Sequence, residues 1–358
     1  MPPLALLIKP VSGACNMRCK YCFYCDEMAS RRSALRGKMS RETLETLVRR
    51  ACEYASGRLS FIFQGGEPTL AGLDFYRELV ALQHRYAPPG LDVRNSIQTN
   101  GLLIDAEWAS FLAENRFLTG VSLDGLAELH DPFRPDTNGC GTYSRALASA
   151  RLLQKSGVNV NILCVISNIS ARHGTKLYRA LTSAGFDWLQ FIPCIPPLDA
   201  PARSFDLTPA RYLDFLTASF ACYRQDRLNG VHISVRFFDD LLRRLAGRPV
   251  ESCGMNGRCA VTLTVESDGC VYPCDFYALD RYLLGSIHDC GPGELLKSDT
   301  AARFVAESVP LPPECGVCEY FALCRGGCRR DRDFGGSLGP NRWCGAYREF
   351  FRRILRQA

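Results

Sequence analysis

A chain of 358 residues, 47% hydrophobic and 22% charged, is long enough to bury one large core and a second, smaller one. It holds no apolar run of the roughly 20 residues that span a bilayer. The opening MPPLALLIKP lacks the basic lead and small-residue cleavage site of a secretory signal, so the cytoplasm is the expected compartment. The net charge of +6 gathers only toward a basic end (Arg325, Arg329, Arg330, Arg332, Arg348, Arg352, Arg353, Arg356). That end is too sparse for a nucleic-acid surface and reads as a solvated charge face.

In chain order, a strand is expected over 4–11, followed at once by Cys15-x3-Cys19-x2-Cys22. Ser40 caps a helix that carries Thr43, Leu44, Leu47, Val48 and Ala51 on one face. A strand over 59–64 runs into Gly65-Gly66-Glu67-Pro68, then a helix over 73–86. A strand over 93–98 ends at Gln98, Thr99 and Asn100, and a helix over 105–114 follows. The strand over 118–123 ends at Ser122 and Asp124. Helices over 143–155 and 171–184 flank a strand over 158–166, and a sixth strand covers 188–194. Short apolar strands alternating with helices imply a parallel sheet with right-handed crossovers. Six strands are too few for an eight-stranded barrel, so an open, partial one is expected, with chemistry at the C-terminal strand ends.

Pro193, Pro196, Pro197 and Pro201 punctuate the end of this region. A helix over 208–227, a strand near 231–237 and a helix over 239–246 come next. Beyond Cys253 the texture changes to cysteine, glycine and short strands. Segments 261–266 and 270–273 read as a hairpin turned by Ser267-Asp268-Gly269. This stretch reads as a second domain stapled by metal.

Nineteen cysteines in a chain without an export signal point to metal rather than disulfides. Eleven fall into spaced groups, and most of the other eight read as small buried hydrophobes. Cys15, Cys19 and Cys22 are three soft thiolates on one loop, able to bind three irons of a cubane and leave the fourth open. Cys25 lies close enough to be a fourth ligand, but the loop is expected to turn away into Asp26 and Glu27. Cys253-x5-Cys259-x14-Cys274 and Cys315-x2-Cys318-x5-Cys324-x3-Cys328-x15-Cys344 supply eight more thiols. That is enough for two four-cysteine sites, of iron–sulfur or zinc. Gly65 and Gly66 would allow close backbone approach to a ligand, and Glu67 would accept from an ammonium group; a tight turn is the plainer reading.

The first loop, with its aromatic before the third cysteine, resembles the signature of the radical S-adenosylmethionine (SAM) superfamily. The C-terminal cysteines resemble the SPASM extension found in part of that superfamily. PPLALLIKPVSGACNMRCKYCFY, FIFQGGEPTLAGLDFY, SIQTNGLLID, NILCVIS, SCGMNGRC, VESDGCVYPCDFY and CRGGCRR resemble anaerobic sulfatase-maturating enzymes along almost the whole chain. The resemblance implies a partial (β/α)6 TIM-like barrel over 1–230 and a cysteine-rich SPASM domain over 231–358. It implies three [4Fe–4S] clusters and S-adenosyl-L-methionine: Cys15, Cys19 and Cys22 for the first cluster; Cys253, Cys259, Cys274 and Cys328 for one auxiliary cluster; Cys315, Cys318, Cys324 and Cys344 for the other. The placing of Cys328 comes from the family, since spacing alone groups it with its neighbours.

The implied activity is oxidation of a cysteine or serine in a Cys/Ser-x-Pro-x-Arg motif of an unfolded sulfatase to Cα-formylglycine. A 5′-deoxyadenosyl radical takes a Cβ hydrogen, a base removes the side-chain proton, and an electron leaves through an auxiliary cluster. Asp275, in Cys-Asp-Phe-Tyr, is the base by that resemblance; its alternative is to cap a turn. A carboxylate near 3.9 is weak against a thiol near 8.5, but loss of the Cβ hydrogen acidifies the thiol, so position counts for more than basicity. Gly65, Gly66, Glu67, Ser122, Asp124 and Arg134 are read as cofactor contacts. Tyr24, Gln64 and Gln98 are read as substrate contacts, with a structural role nearly as good an account of each. Flavodoxin or ferredoxin is the expected electron donor, with no nucleic-acid or membrane partner. The competing reading is a maturase forming thioether or carbon–carbon crosslinks in a ribosomal peptide, disfavoured because no leader-binding domain precedes the first strand.

Overall fold

The computed structural model describes residues 2–198, 200–334 and 336–356. Its strands are β1 (Leu4–Ile8), β2 (Arg58–Phe63), β3 (Asp92–Thr99), β4 (Leu118–Ser122), β5 (Asn159–Ile166), β6 (Trp188–Pro193), β7 (Ser234–Val235), β8 (Leu263–Val265), β9 (Cys270–Tyr272) and β10 (Gly285–Ser286). The six expected barrel strands each begin within one residue of their expected starts. β1 stops early, at Ile8; Pro10 beyond it has no N–H to offer a ladder. The result is an α/β fold with a mostly parallel sheet that is not a closed barrel.

The chain divides into two compact units. The first comprises Met1–Ser122, Arg134–Val160 and Val261–Phe304, and the second Leu123–Phe133, Asn161–Ala260 and Val305–Ala358. This division does not follow the expected boundary near 230, because the chain returns to the first unit at Val261.

In the first unit β1 pairs in parallel with β2 on one side and with β8 on the other. β8, β9 and β10 are joined antiparallel, so the expected hairpin is an extension of the parallel sheet. β1 is therefore an interior strand, which accounts for its apolar run; Leu6 and Ile8 are fully buried. The helix Arg41–Tyr54 starts where the Ser40 hydroxyl accepts from the Thr43 N–H at 3.1 Å. Its buried face is Thr43, Leu44, Leu47, Val48 and Ala51, at helical spacing. The helix Leu73–Tyr86 sets Tyr76 edge-on against Phe63, with ring centroids 5.1 Å apart. Replacing Leu47, with no exposed surface, by alanine would cost about 2–5 kcal/mol.

In the second unit β5, β6 and β7 run parallel. The helices Pro209–Leu228 and Cys344–Leu355 share an aromatic seam, with Phe220 and Phe350 at 5.5 Å. The strand expected near 231–237 is cut to two residues, and the next helix is Arg236–Leu245. Asp239 in its first turn accepts from Ser234 and Tyr223, both at 2.6 Å. Those bonds, with a carboxylate favoured at a helix start, end the strand before Phe237.

Candidate active site

The loop from β1 to the helix Phe23–Ala29 carries Cys15, Cys19 and Cys22. Backbone bonds pin it: Met17 N–H donates to Cys15 Sγ at 3.4 Å, Cys22 N–H to Cys19 O at 3.2 Å, and Arg18 N–H to Pro135 O at 2.9 Å. The three thiols feel one another. Burial, Glu67 and the two sister thiols push Cys15 up to about 12, with the Met17 N–H opposing. Hydrogen bonding from Cys25 brings Cys22 down to about 6, against burial and with help from Arg134. Cys25 therefore does not turn away as expected, since it follows Cys22 into the first helical turn with its N–H on Cys22 O at 3.3 Å. Three convergent thiols, N–H groups aimed at sulfur and a nearby guanidinium form a donor set that fits a cluster held by three thiolates.

The two glycines allow close backbone approach to the cysteine loop. A Cβ on Gly66 would lie 2.0 Å from Ala14 O, and one on Gly65 would lie 2.7 Å from Ser12 O. Gly66 N–H donates to Ser12 O and Glu67 N–H to Ala14 O, at 2.9 and 2.8 Å. The missing side chains thus let the end of β2 dock against the cysteine loop itself.

Glu67 adds its own bonds to this junction. It is buried, and Oε1 accepts from the Thr69 N–H, the Thr69 hydroxyl and the Thr99 hydroxyl at 3.0, 2.6 and 2.7 Å. Its Oε2 accepts from Asn100 N–H at 2.7 Å. These four donors brace the carboxylate between the ends of β2 and β3. Asn100 in turn donates to Asn16 Oδ1 at 2.7 Å and reaches Cys15 Sγ at 3.8 Å. Arg134 is buried over the Tyr21 ring, 5.2 Å from its centroid. Ser122 ends β4, and Gln98 on β3 stands in register with Gly120. Asp124 belongs to the second unit, where its Oδ1 accepts from Val165 N–H at 2.9 Å.

Asp275 is drawn to Tyr24. The Tyr24 hydroxyl donates to Asp275 Oδ2 at 2.8 Å and lies 3.4 Å from Gln64 Oε1, so three expected site residues meet. Asp275 Oδ1 is buried and accepts no hydrogen bond, with Lys9 Nζ at 3.3 Å. Gln98 makes no part of this group of contacts.

Lys9, with Glu27, Arg31 and Glu266, escaped the sequence reading. Lys9 Nζ lies 2.7 Å from Glu27 Oε2, 3.5 Å from Glu266 Oε1 and 4.8 Å from the Tyr24 ring centroid. Arg31 closes the cluster, 2.6 Å from Glu266 and 3.7 Å from Glu27. Burial alone would pull Lys9 down, but Asp275, Glu27 and Glu266 together raise it well above its ordinary value. Three carboxylates face two cations, and Glu27 takes the excess: burial pushes it up to about 7, while Lys9 and Arg31 resist. The clue in the sequence was a lysine closing an otherwise apolar interior strand.

In the second unit the cysteines sort into two sets. Burial first, then the Asp331 charge, then Cys253 and Cys259 raise Cys328, and a Cβ on Gly254 would sit 3.3 Å from Cys328 Cβ. Cys324 feels Cys318, Cys344 and Cys315 in the same way. Cys328 thus stands apart from its sequence neighbour Cys324. A cavity walled by Phe191, Tyr212, Phe237 and Tyr347 is also bordered by Cys324 and Cys328, one thiol of each set. Cys274 lies in the first unit, beside Asp275. The basic end is only partly the solvated face expected: Arg325, Arg348, Arg353 and Arg356 are exposed, but Arg329, Arg330 and Arg332 are buried.

Residues 10–180 match the radical SAM superfamily, and residues 253–319 match the iron–sulfur cluster-binding domain SPASM. The sequence is 45% identical over 355 residues to the cysteine-type anaerobic sulfatase-maturating enzyme of Clostridium perfringens, spanning 98% of this chain and 96% of that one. It is 35% identical over 364 residues to the serine-type enzyme of Klebsiella pneumoniae, spanning 99% of this chain and 88% of the relative. Among solved structures, native anSMEcpe with bound AdoMet and Cp18Cys peptide matches with a TM-score of 0.95 at 44% identity, covering 99% of this chain and 98% of that one.

Proposed function

We propose that this chain, which belongs to the anaerobic sulfatase-maturating enzymes of the radical SAM superfamily, oxidises the cysteine of a Cys-x-Pro-x-Arg segment in an unfolded sulfatase to Cα-formylglycine. Cysteine is preferred over serine in this reading because identity falls from 45% with cysteine-type to 35% with serine-type relatives. In use, S-adenosylmethionine on the first cluster supplies the radical that takes a Cβ hydrogen, and the auxiliary clusters supply a sink for the second electron. Cys15, Cys19 and Cys22 are the ligands of the first cluster, with Arg134 as their neighbouring positive charge. Cys315, Cys318, Cys324 and Cys344 hold one auxiliary cluster. Cys253, Cys259 and Cys328 serve the other, to which the family resemblance adds Cys274.

The observation that carries the reading is the Asp275 carboxylate, fixed through one oxygen by Tyr24 with the other free of hydrogen bonds. A carboxylate so held is a positioned proton acceptor. The Asp275 carboxylate takes the substrate thiol proton as the Cβ radical gives up its remaining electron, leaving a thioaldehyde that water converts to the aldehyde with release of hydrogen sulfide. Lys9 holds the carboxylate in place from 3.3 Å without donating to that oxygen. Gln64 and Gln98 orient the substrate backbone, while Ser122 and Asp124 contribute to cofactor binding. A flavodoxin or ferredoxin supplies the electrons; no helix among the described residues is long and apolar enough to cross a membrane.

The test is anaerobic incubation of the reconstituted protein with S-adenosylmethionine, reductant and a Cys-x-Pro-x-Arg peptide, read by mass spectrometry. An aldehyde at the cysteine supports the reading. An intramolecular crosslink, or intact peptide alongside cofactor cleavage, overturns it.

A further inference from the structure

One buried cation of the second unit is the Arg332 guanidinium. Arg332 is only 1% exposed. Its Nη1 donates to Pro310 O at 2.7 Å and its Nη2 to Ser308 O, while Nε is buried without a partner. Its neighbours differ: Arg329 pairs with Glu307 at 2.9 Å, and Arg330 faces the Asp331 charge. Among the described residues no carboxylate pairs with Arg332. A buried guanidinium satisfied only by carbonyl dipoles is costly, and such charges persist where an opposite charge lies near.

The carbonyls that hold Arg332 lead to both auxiliary thiol sets. The Ser308 hydroxyl accepts from Cys259 N–H at 2.9 Å, so one residue joins the guanidinium to the first set. Beyond Pro310 the same segment reaches Pro312, whose carbonyl accepts from Cys315 N–H at 2.9 Å, in the second set. A cubane core of charge 2+ on four thiolates is a net dianion, which is the missing counter-charge.

We propose that Arg332 is the shared positive charge of the two auxiliary iron–sulfur sites and raises the reduction potential of both. The inference rests on the ligand sets proposed above. A fixed cation stabilises the more negative, reduced state of a neighbouring cluster, and charge together with hydrogen bonding is how a protein sets such potentials. Arg332 is thus a positioning residue for the electron that leaves the substrate: it makes the auxiliary clusters better acceptors.

The experiment is an anaerobic redox titration followed by electron paramagnetic resonance on the unaltered protein and on Arg332→Gln and Arg332→Lys, with iron counted on each. If the unaltered protein carries iron for only one cluster, the ligand assignment has failed, and this inference with it. With three clusters present, Arg332→Gln should lower the auxiliary midpoints so that the reduced-to-oxidised ratio at fixed potential falls at least tenfold, about 59 mV for one electron. The first cluster should be unmoved and Arg332→Lys close to the unaltered protein. Unchanged auxiliary midpoints in a fully loaded Arg332→Gln overturn the inference. If Arg332→Gln loses the auxiliary iron, Arg332→Lys decides: loaded clusters with normal midpoints support a charge role. Loss of iron or lowered midpoints in the lysine variant refute it.

Discussion

Lys9 Nζ stands 3.3 Å from Asp275 Oδ1 although the two residues are separated by most of the chain. β8 makes the meeting possible by pairing with β1, so the segment that follows the hairpin returns over the end of the first strand. Lys9→Met should therefore leave iron content and S-adenosylmethionine cleavage intact while formylglycine yield falls by about 100-fold, the loss expected when a proton acceptor is displaced. It should also destabilise the protein by about 3–5 kcal/mol, because buried Glu27 and Glu266, with half-buried Asp275 beside them, would then face one arginine. Chemical denaturation and product analysis check both parts; an unaltered yield would detach Lys9 from catalysis.

Asp275→Asn keeps the shape and the Tyr24 contact but removes the proton acceptor. 5′-Deoxyadenosine should still form at the normal rate while formylglycine drops by about 100- to 10,000-fold. Liquid chromatography of the nucleoside, beside mass spectrometry of the peptide, separates the two steps.

The cluster of Lys9, Arg31 and three carboxylates makes stability depend on pH through Glu27. Burial raises its folded value to about 7 from 4.5, so the folded state holds this proton more tightly than the unfolded chain. That contribution is fully present below the ordinary glutamate value and is lost as pH rises through about 7. Melting temperatures measured from about pH 5 to about pH 8 should fall more steeply for the native sequence than for Glu27→Gln, which has no such proton. Equal slopes would show that Glu27 is ionised throughout.

Gly66→Ala places a methyl 2.0 Å from Ala14 O and must push the cysteine loop away from β2. Iron in the first cluster should fall, and cofactor cleavage with it by about 100-fold, as displacements near 1 Å at a reacting centre commonly produce. The auxiliary clusters should stay loaded. Retention of full cleavage would mean that the loop has more room than the docked geometry allows.

Cys25→Ala should keep three clusters and slow cofactor cleavage by no more than about tenfold, the equivalent of one lost hydrogen bond of about 1 kcal/mol to Cys22. Loss of one cluster's iron in this variant would make Cys25 a fourth ligand and remove the open iron corner on which the proposed chemistry depends.

The strands, most helices and the cysteine sets were legible in the sequence because each rests on local information. Period-2 and period-3.6 apolar patterns reflect contacts made within one element, and thiol spacing reflects the chemistry of a single loop. The strand expected to reach Phe237 failed because a side-chain pair, Ser234 with Asp239, outweighed the apolar run. The four donors to Glu67 were not legible for a related reason, since they come from residues that β2 and β3 bring together only when paired.

What the sequence determined by itself was the kind of chemistry: three thiolates on one loop, eight more in a cysteine-rich tail, and a carboxylate beside one of them. Tertiary structure alone decided which groups act on one another. The pairing of β8 with β1 carried Glu266 and Asp275 to Lys9, and the folding of the tail buried Arg332 while parting Cys328 from Cys324. Coulomb interactions and burial depend on distance through space, and distances between remote residues come into being only when the sheet and the tail have closed.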